Sequence, residues 1–103
     1  MSVLMNFAMF PTDKGSSVSP YVSKITALIR SKGYKSQLSS MGTIVETDTL
    51  PQALAVIEES YALLESDCDR VYLTVNIDIQ KNKSNRIESK IQSVEDKLAK
   101  GAF

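Results

Sequence analysis

The sequence predicts an α+β fold in which helices pack on one face of a four-stranded β-sheet. Four segments show the apolar alternation of strands, and three others repeat apolar residues at spacings of three and four, as amphipathic helices do. The two middle strands are too close in sequence for a crossover helix, which favours an antiparallel hairpin over a doubly wound parallel sheet. At 103 residues the chain has the size of one domain, and we expect a single domain over residues 1–103.

The first strand and helix are predicted from residues 2–33. "SVLMNFAMF" (residues 2–10) alternates as a strand, and "PTDKGSS" follows as a loop. Ser19 before Pro20 predicts a helix start, with the serine as N-cap and the proline at the first helical position. Gly33 predicts the left-handed end of this helix. Its expected apolar stripe consists of Val18, Val22, Ile25 and Ile29.

A hairpin and a second helix follow. "YKSQLSSM" and "GTIVET" read as two short strands joined around Met41 and Gly42, where glycine permits a turn or bulge. Thr49 and Gln52 have the spacing of a capping box, which predicts a helix beginning there. Its expected core stripe is Leu50, Leu54, Ile57, Tyr61 and Leu64.

The last strand and helix are predicted from residues 70–101. "RVYLTVNIDIQ" alternates strictly, so its β-branched row is expected to face the helices. After the polar turn "KNKSN", a final amphipathic helix is predicted to end at Gly101, and the tail "GAF" is expected to fray. The helix stripe is Ile87, Ile91, Val94 and Leu98, and the outward strand residues are Tyr72, Thr74, Asn76 and Asp78, beside Asn6 and Ala8.

The element order is therefore that of the ferredoxin-like βαββαβ two-layer sandwich, with an additional C-terminal helix. Each helix has one narrow apolar stripe, so all three are expected on one face of the sheet. The other face would then be open. We expect a second subunit to cover it sheet to sheet, giving a homo-oligomer, with pairing of edge strands as the alternative.

Composition excludes several classes of function. The chain contains no histidine, so it cannot form a Ser-His-Asp triad, a Cys-His pair or a histidine metal site. Its single cysteine, Cys68, cannot form an internal disulfide, and the neighbouring carboxylates are expected to raise its pKa. Twelve basic residues balance twelve acidic ones, which argues against nucleic-acid or membrane partners. We expect a cytoplasmic protein without cofactor or metal.

Several polar residues can be interpreted in two ways. Glu46, within "TIVET", is either a solvated strand residue or a ligand-binding carboxylate, and its face cannot be assigned from the pattern. Asn6 and Asp78 are open to the same two interpretations. "PTDKGSSVS" lacks the spacing of a phosphate-binding loop and is expected to be an ordinary loop. "QKNKSNRIESK" is expected to be a solvated turn and helix face, since it has no interleaved aromatic residues.

Over residues 3–98 the sequence resembles the UPF0045, or thiamine-binding protein, family (the MTH1187/YkoF-like group). The resemblance is carried by "FAMFPTDKGSSVSPYV", by "SSMGTIVET", similar to a Met-Gly-Thr-x-x-Glu-Gly signature, by "DRVYLTVNIDIQ" and by "KIQSVEDKL". Two positions depart from the family pattern. Thr47 stands where glycine is common, and Gln80 stands where arginine is frequent, which favours an unphosphorylated ligand over the diphosphate.

The resemblance implies a ferredoxin-like subunit that forms dimers or tetramers through its sheets and binds thiamine or its hydroxymethylpyrimidine moiety, without an established catalytic activity. Met41, Phe10 or Tyr72 would flank the ring, and Glu46 or Asp78 would meet its amino group. The residues expected to bind the ligand are Asn6, Ser17, Ser19, Met41, Gly42, Thr43, Glu46, Asn76 and Asp78.

Two alternatives remain beside this binding protein. One is an enzyme of thiamine-precursor metabolism that uses Glu46 and Asp78 for acid-base chemistry, without a histidine, metal cluster or cofactor loop to assist it. The other is an assembly or regulatory module that has no small ligand.

Overall fold

A computed structural model describes residues 1–101, and the expected fraying of the tail at residues 102 and 103 lies outside them. The elements follow in the order β1 (Ser2–Pro11), α1 (Ser19–Ser31), β2 (Lys35–Ser39), β3 (Gly42–Thr47), α2 (Leu50–Glu65), β4 (Val71–Gln80) and α3 (Arg86–Ala99). The four strands form one sheet in the order β2-β3-β1-β4, and each neighbouring pair is antiparallel. The predicted ferredoxin-like α+β fold with an extra C-terminal helix is confirmed.

Strand register fixes the two faces of the sheet. One face of β1 presents Val3, Met5, Phe7 and Met9, all buried, to the helices. Residues opposite each other in antiparallel strands share a face, so the β4 row from Leu73 to Ile79 also lies on this side, as expected. The core beneath it is completed by Ile25 and Ile29 of α1, Val45 of β3 and residues of α2.

Helix α1 begins one residue earlier than predicted. Val18 is its N-cap, Ser19 is its first residue, and neither residue makes the side-chain capping bond expected of Ser19. The Ser19 carbonyl instead accepts a hydrogen bond from the Ser23 hydroxyl. Gly33 follows the helix with φ +77°, the left-handed conformation that the sequence predicted.

Helix α2 has the predicted capping box, since Thr49 and Gln52 exchange both bonds. The predicted core stripe was wrong for two residues, because Leu54 and Tyr61 are exposed. Its buried positions are Ala53, Val56, Ser60 and Leu64. Small residues at two of these positions allow the helix backbone to approach the sheet closely, and they carry no apolar signal in the sequence.

Helix α3 does not share the face of the other two helices, which corrects the expectation that all three helices pack together. It begins against the open face of the sheet, where the Arg86 side chain contacts Ser2 and Asp78. Beyond this first turn its apolar residues Ile91, Val94 and Leu98 are exposed. Within residues 1–101, no helix is long and apolar enough to cross a membrane.

Candidate functional site

An apolar hollow lies where β1 extends beyond the hairpin. Pairing between β1 and β3 ends at Phe7 opposite Thr43, whereas β1 continues to Pro11 with β4 alone on its other side. A cavity of about 330 Å³ fills the resulting gap between β1, α1 and the β2–β3 hairpin. Its walls are formed by Phe7, Ala8, Met9, Phe10, Val18, Val22, Ile25, Leu38, Ser39, Ser40, Met41, Gly42 and Thr43. We call this the hairpin cavity.

Three predicted site residues meet at the hairpin cavity. Met41 lies in the turn and is 88% exposed, whereas Thr43 is buried on the helix side of the sheet. Gly42 lies within β3 rather than in the turn itself, which refines its expected role. A Cβ at Gly42 would lie 2.9 Å from the Phe7 carbonyl oxygen and 3.0 Å from Asn6 Oδ1, so close approach of β1 requires glycine here.

The two predicted serines lie near the same cavity. Ser17 and Ser19 flank Val18, which forms part of the wall, and both serines are exposed. Neither residue lines the cavity itself. They therefore stand at the start of α1 beside the hollow, without the capping role that the sequence suggested for Ser19.

A second group of predicted residues lies on the open face of the sheet. Asn6 on β1 stands directly opposite Asn76 on β4, and Asp78 lies two residues further along β4. With Leu4, Ile44 and Ile77 they line a shallow hollow of about 230 Å³. These asparagines are therefore separate from the walls of the hairpin cavity, although Asn6 contacts its edge near Gly42.

Glu46 occupies the open face at the far end of β3 from the hairpin, and its carboxylate holds α3. It accepts hydrogen bonds from the Ser2 hydroxyl at 2.5 Å, the Arg86 amide at 2.9 Å and the Ile87 amide at 3.2 Å. The residue preceding the helix, Asn85, makes no side-chain cap and has a left-handed backbone with φ 54°. Glu46 thus supplies from another strand the acceptor that free amides at a helix start require.

We call the contact between the start of α3 and the ends of β1, β3 and β4 the α3 junction, and Arg86 is its central residue. Sequence reasoning missed Arg86 because its segment was expected to be a solvated turn and helix face. Its guanidinium donates to Ser2 Oγ and the Ser2 carbonyl, both at 3.0 Å, and to Asp78 Oδ2 at 2.8 Å. The residue is only 3% exposed. A single arginine beside an apolar stripe gives no sequence signal that distinguishes it from the exposed lysines around it.

The α3 junction lowers the pKa values of the Glu46 and Asp78 carboxylates. Partial burial raises the pKa of Glu46, but bonds from the Arg86 amide, the Ser2 hydroxyl and the Ile87 amide outweigh burial and bring it below its usual range. The pKa of Asp78 is lowered by hydrogen bonds from Lys90 and then Arg86. Carboxylates with lowered pKa values are weak bases at neutral pH.

Cys68 has the character of a core residue. It is buried, and burial raises the pKa of its thiol, with further contributions from Asp13 and Asp67. This confirms the expected direction of the shift. Among residues 1–101 there is no group of three or more histidine, cysteine, aspartate or glutamate side chains arranged to hold a metal ion.

Comparison with known proteins identifies relatives of this chain. A curated relative, the UPF0045 protein MJ1052 of Methanocaldococcus jannaschii, is 34% identical over 92 residues, which is 89% of this chain and 91% of the relative. The UPF0045 protein Mb1933 of Mycobacterium bovis is 26% identical over 95 residues, covering 92% of this chain and 93% of that protein.

Solved structures agree with these sequence matches. The crystal structure of hypothetical protein MJ1052 superposes with a TM-score of 0.82 at 33% identity, covering 91% of this chain and 96% of that one. A Thermotoga maritima protein described as a putative thiamine biosynthesis/salvage protein has the same fold, with a TM-score of 0.78 at 20% identity and coverage of 91% and 99%. The family model for "Thiamine-binding protein" matches residues 5–95. The chain therefore belongs to the thiamine-binding protein family.

Proposed function

We propose that the protein is a non-catalytic, cytoplasmic binding protein for thiamine or its hydroxymethylpyrimidine moiety, and that the ligand occupies the hairpin cavity. The observation that carries the proposal is the position of Met41, Gly42 and Thr43, the first three residues of the family signature, in the wall of that cavity. Its volume of about 330 Å³ is at the lower end of the range for small-molecule sites. Family membership and the description of the Thermotoga protein support a thiamine-related ligand.

The chemistry of the cavity wall favours the pyrimidine end of thiamine. Phe7, Met9 and Met41 offer aromatic and thioether surface to a flat heteroaromatic ring. Thr43 offers a hydroxyl for a neutral hydrogen bond, whereas the Ser39 hydroxyl already donates to the Gly42 carbonyl at 2.9 Å. The described lining residues include no charged side chain, so the cationic thiazolium ring would face the opening rather than the interior.

We also propose that subunits associate through the open face of the sheet. Leu4 and Ile44 lie half-buried on this face, and the rings of Phe10 and Tyr72 pack at 5.7 Å between centroids. The hairpin cavity includes Ala8 and Phe10 of the same face, so a subunit packed there would stand beside the ligand. The hollow around Asn6, Asn76 and Asp78 would then lie within the interface, as a second place for the ligand.

Isothermal titration with thiamine and with hydroxymethylpyrimidine tests the binding proposal. Val22→Phe introduces a larger side chain into the hairpin cavity and should weaken binding at least about tenfold, a loss of about 1.4 kcal/mol. Asn76→Ala, in the open-face hollow, should leave the dissociation constant within about twofold. The opposite ranking would place the ligand in that hollow.

Thermal unfolding gives an independent test with the unmodified protein. A site at one hundred times its dissociation constant should stabilise the fold by about 2.7 kcal/mol. Absence of both binding heat and a melting shift at millimolar thiamine and millimolar hydroxymethylpyrimidine would refute the proposal.

A further inference from the structure

The first turn of α1 is joined to the turn between α2 and β4 by two side chains that are far apart in sequence. The Tyr21 hydroxyl donates a hydrogen bond to Asp67 Oδ2 at 2.6 Å, the usual length for a hydroxyl bonded to an ionised carboxylate. This bond raises the pKa of Tyr21 to about 12, so the hydroxyl keeps its proton at neutral pH. The Lys14 ammonium lies 3.7 Å from the other carboxylate oxygen, Oδ1. We call the Tyr21–Asp67 bond the α1 tether.

The acceptor end of the α1 tether is held against the core. The Asp67 amide donates to the Leu64 carbonyl at 3.2 Å, and the Cys68 amide donates to the same carbonyl at 2.9 Å. The side chains of Leu64 and Cys68 are both buried. Asp67 therefore stands on a turn that continues the C-terminal end of α2 and is fixed on both sides by core residues.

The donor end of the α1 tether carries part of the wall of the hairpin cavity. Val18 and Val22 line that cavity, and Tyr21 lies between them within one helical turn. The amides of Tyr21 and Val22 both donate to the Val18 carbonyl, at 3.0 and 3.1 Å. No side chain caps this end of α1, and the preceding loop contains Gly15 with φ +81°. Because a helix start without a cap frays easily, the tether supplies a constraint that the missing cap would otherwise give.

We propose that Tyr21 is a positioning residue for ligand binding, whose hydroxyl holds the first turn of α1 in the place where it closes one wall of the hairpin cavity. This inference rests on the proposed function, since it concerns the same cavity. Tyr21 does not itself line the cavity and acts through Val18 and Val22. When the turn frays, the wall is lost, and the dissociation constant rises in inverse proportion to the fraction of molecules that keep the turn in place.

Two contacts beside the α1 tether allow it to be removed without unfolding the loop. The Thr12 amide donates to the Arg70 carbonyl at 2.9 Å, and the Asp69 amide donates to Asp13 Oδ2 at 2.8 Å. Both contacts hold the beginning of the loop and do not involve Tyr21. Removal of the Tyr21 hydroxyl should therefore loosen the start of α1 and leave the rest of the fold intact.

Isothermal titration of Tyr21→Phe with thiamine and with hydroxymethylpyrimidine tests the proposal. Phenylalanine keeps the ring and loses only the hydroxyl, so the dissociation constant should rise about threefold to tenfold, the range expected for one partly exposed hydrogen bond. The matched control is Tyr34→Phe, at a half-buried tyrosine just beyond the C-terminal end of α1, which should change binding less than about twofold. Equal affinities of Tyr21→Phe and the wild type would overturn the proposal.

Substitutions of Asp67 distinguish positioning from a general loss of stability. Asp67→Asn keeps an acceptor oxygen for the Tyr21 hydroxyl, whereas Asp67→Ala does not, and both lose the ion pair with Lys14. Asp67→Ala should weaken binding as much as Tyr21→Phe, and Asp67→Asn should recover most of that loss. The double variant Tyr21→Phe/Asp67→Ala should bind within about twofold of either single variant, because the two residues act through one bond. Fully additive losses, or equal losses in Asp67→Asn and Asp67→Ala, would overturn the proposal.

Amide hydrogen exchange in the ligand-free protein gives a readout that does not depend on binding. Exchange at the Val22 amide, which bonds to the Val18 carbonyl, should accelerate in Tyr21→Phe by the same factor as the loss of affinity, whereas exchange at the Gly33 amide at the other end of α1 should not change. Faster Val22 exchange with unchanged affinity would show that the tether is structural only and would overturn the proposal. A wild-type chain that binds neither ligand would refute the proposed function as well, whereas a wild type that binds normally beside an unaffected Tyr21→Phe would refute the positioning role alone.

Discussion

Replacing Glu46 by glutamine separates two possible roles of this carboxylate: fixing the start of α3, or contacting the ligand. The carboxylate accepts two backbone amides at the start of α3 and the Ser2 hydroxyl. Glutamine has the same shape but offers one acceptor oxygen, and its amide group would face an N–H donor. Glu46→Gln therefore tests charge and acceptor number with little change in packing.

The expected cost follows from the bonds that are lost. A hydrogen bond to a charged group contributes about 1.5–3 kcal/mol, and a neutral one about 1 kcal/mol. Loss of one amide bond and weakening of the other should destabilise docking of α3 by about 2–3 kcal/mol. Since 1.4 kcal/mol corresponds to a factor of ten, local opening should become about 30–150 times more frequent.

Amide hydrogen exchange measures this opening directly. Exchange at Ser89, whose amide bonds to the Asn85 carbonyl inside the first turn of α3, should accelerate by that factor in Glu46→Gln. Glu58→Gln, an exposed glutamate on α2, is the matched control and should leave exchange in α3 unchanged. Unchanged protection of α3 together with a large loss of thiamine affinity would refute the role of Glu46 in fixing α3 and would show that the carboxylate contacts the ligand.

Three further predictions concern stability and reactivity. Gly42→Ala should destabilise the fold by about 1–3 kcal/mol in denaturant titration, because the added Cβ meets the Phe7 carbonyl oxygen, whereas Ser40→Ala in the turn should cost less than about 0.5 kcal/mol. Because the pKa of Glu46 is lowered in the fold, its carboxylate stabilises the protein fully above the unfolded glutamate pKa of about 4.3, and this stabilisation is lost as the pH falls through the lower folded value. The melting temperature of Glu46→Gln should therefore fall less in acid than that of the wild type. Equal falls would contradict this. Cys68 should react with iodoacetamide at pH 7 only as fast as the protein opens, because burial raises the pKa of its thiol, and rapid labelling of the native protein would contradict its buried position.

The order and type of the elements were predictable because apolar spacing reports directly which side of each segment is buried. Positions where close packing of neighbouring elements requires a small residue were not predictable. The inward face of α2 uses Ala53 and Ser60, and their small size matters only when a neighbouring sheet is known. Gly42 was predicted as a turn residue, but its need for glycine comes from the carbonyl oxygen of another strand.

The candidate site was predictable only in part. The signature residues Met41, Gly42 and Thr43 do come together, but the cavity beside them arises from the unequal lengths of β1 and β3, which depends on register rather than composition. The position of α3 depends on a polar contact between Arg86 and residues at the end of the sheet, and apolar periodicity contains no information about such a contact.

The buried guanidinium at the base of α3 ties together parts of the chain that are far apart in sequence. Arg86 bonds to Ser2 of β1, 84 residues away, and to Asp78 of β4. Unwinding of the first turn of α3 would therefore also release the beginning of β1, so the two termini of the fold should open as one cooperative unit.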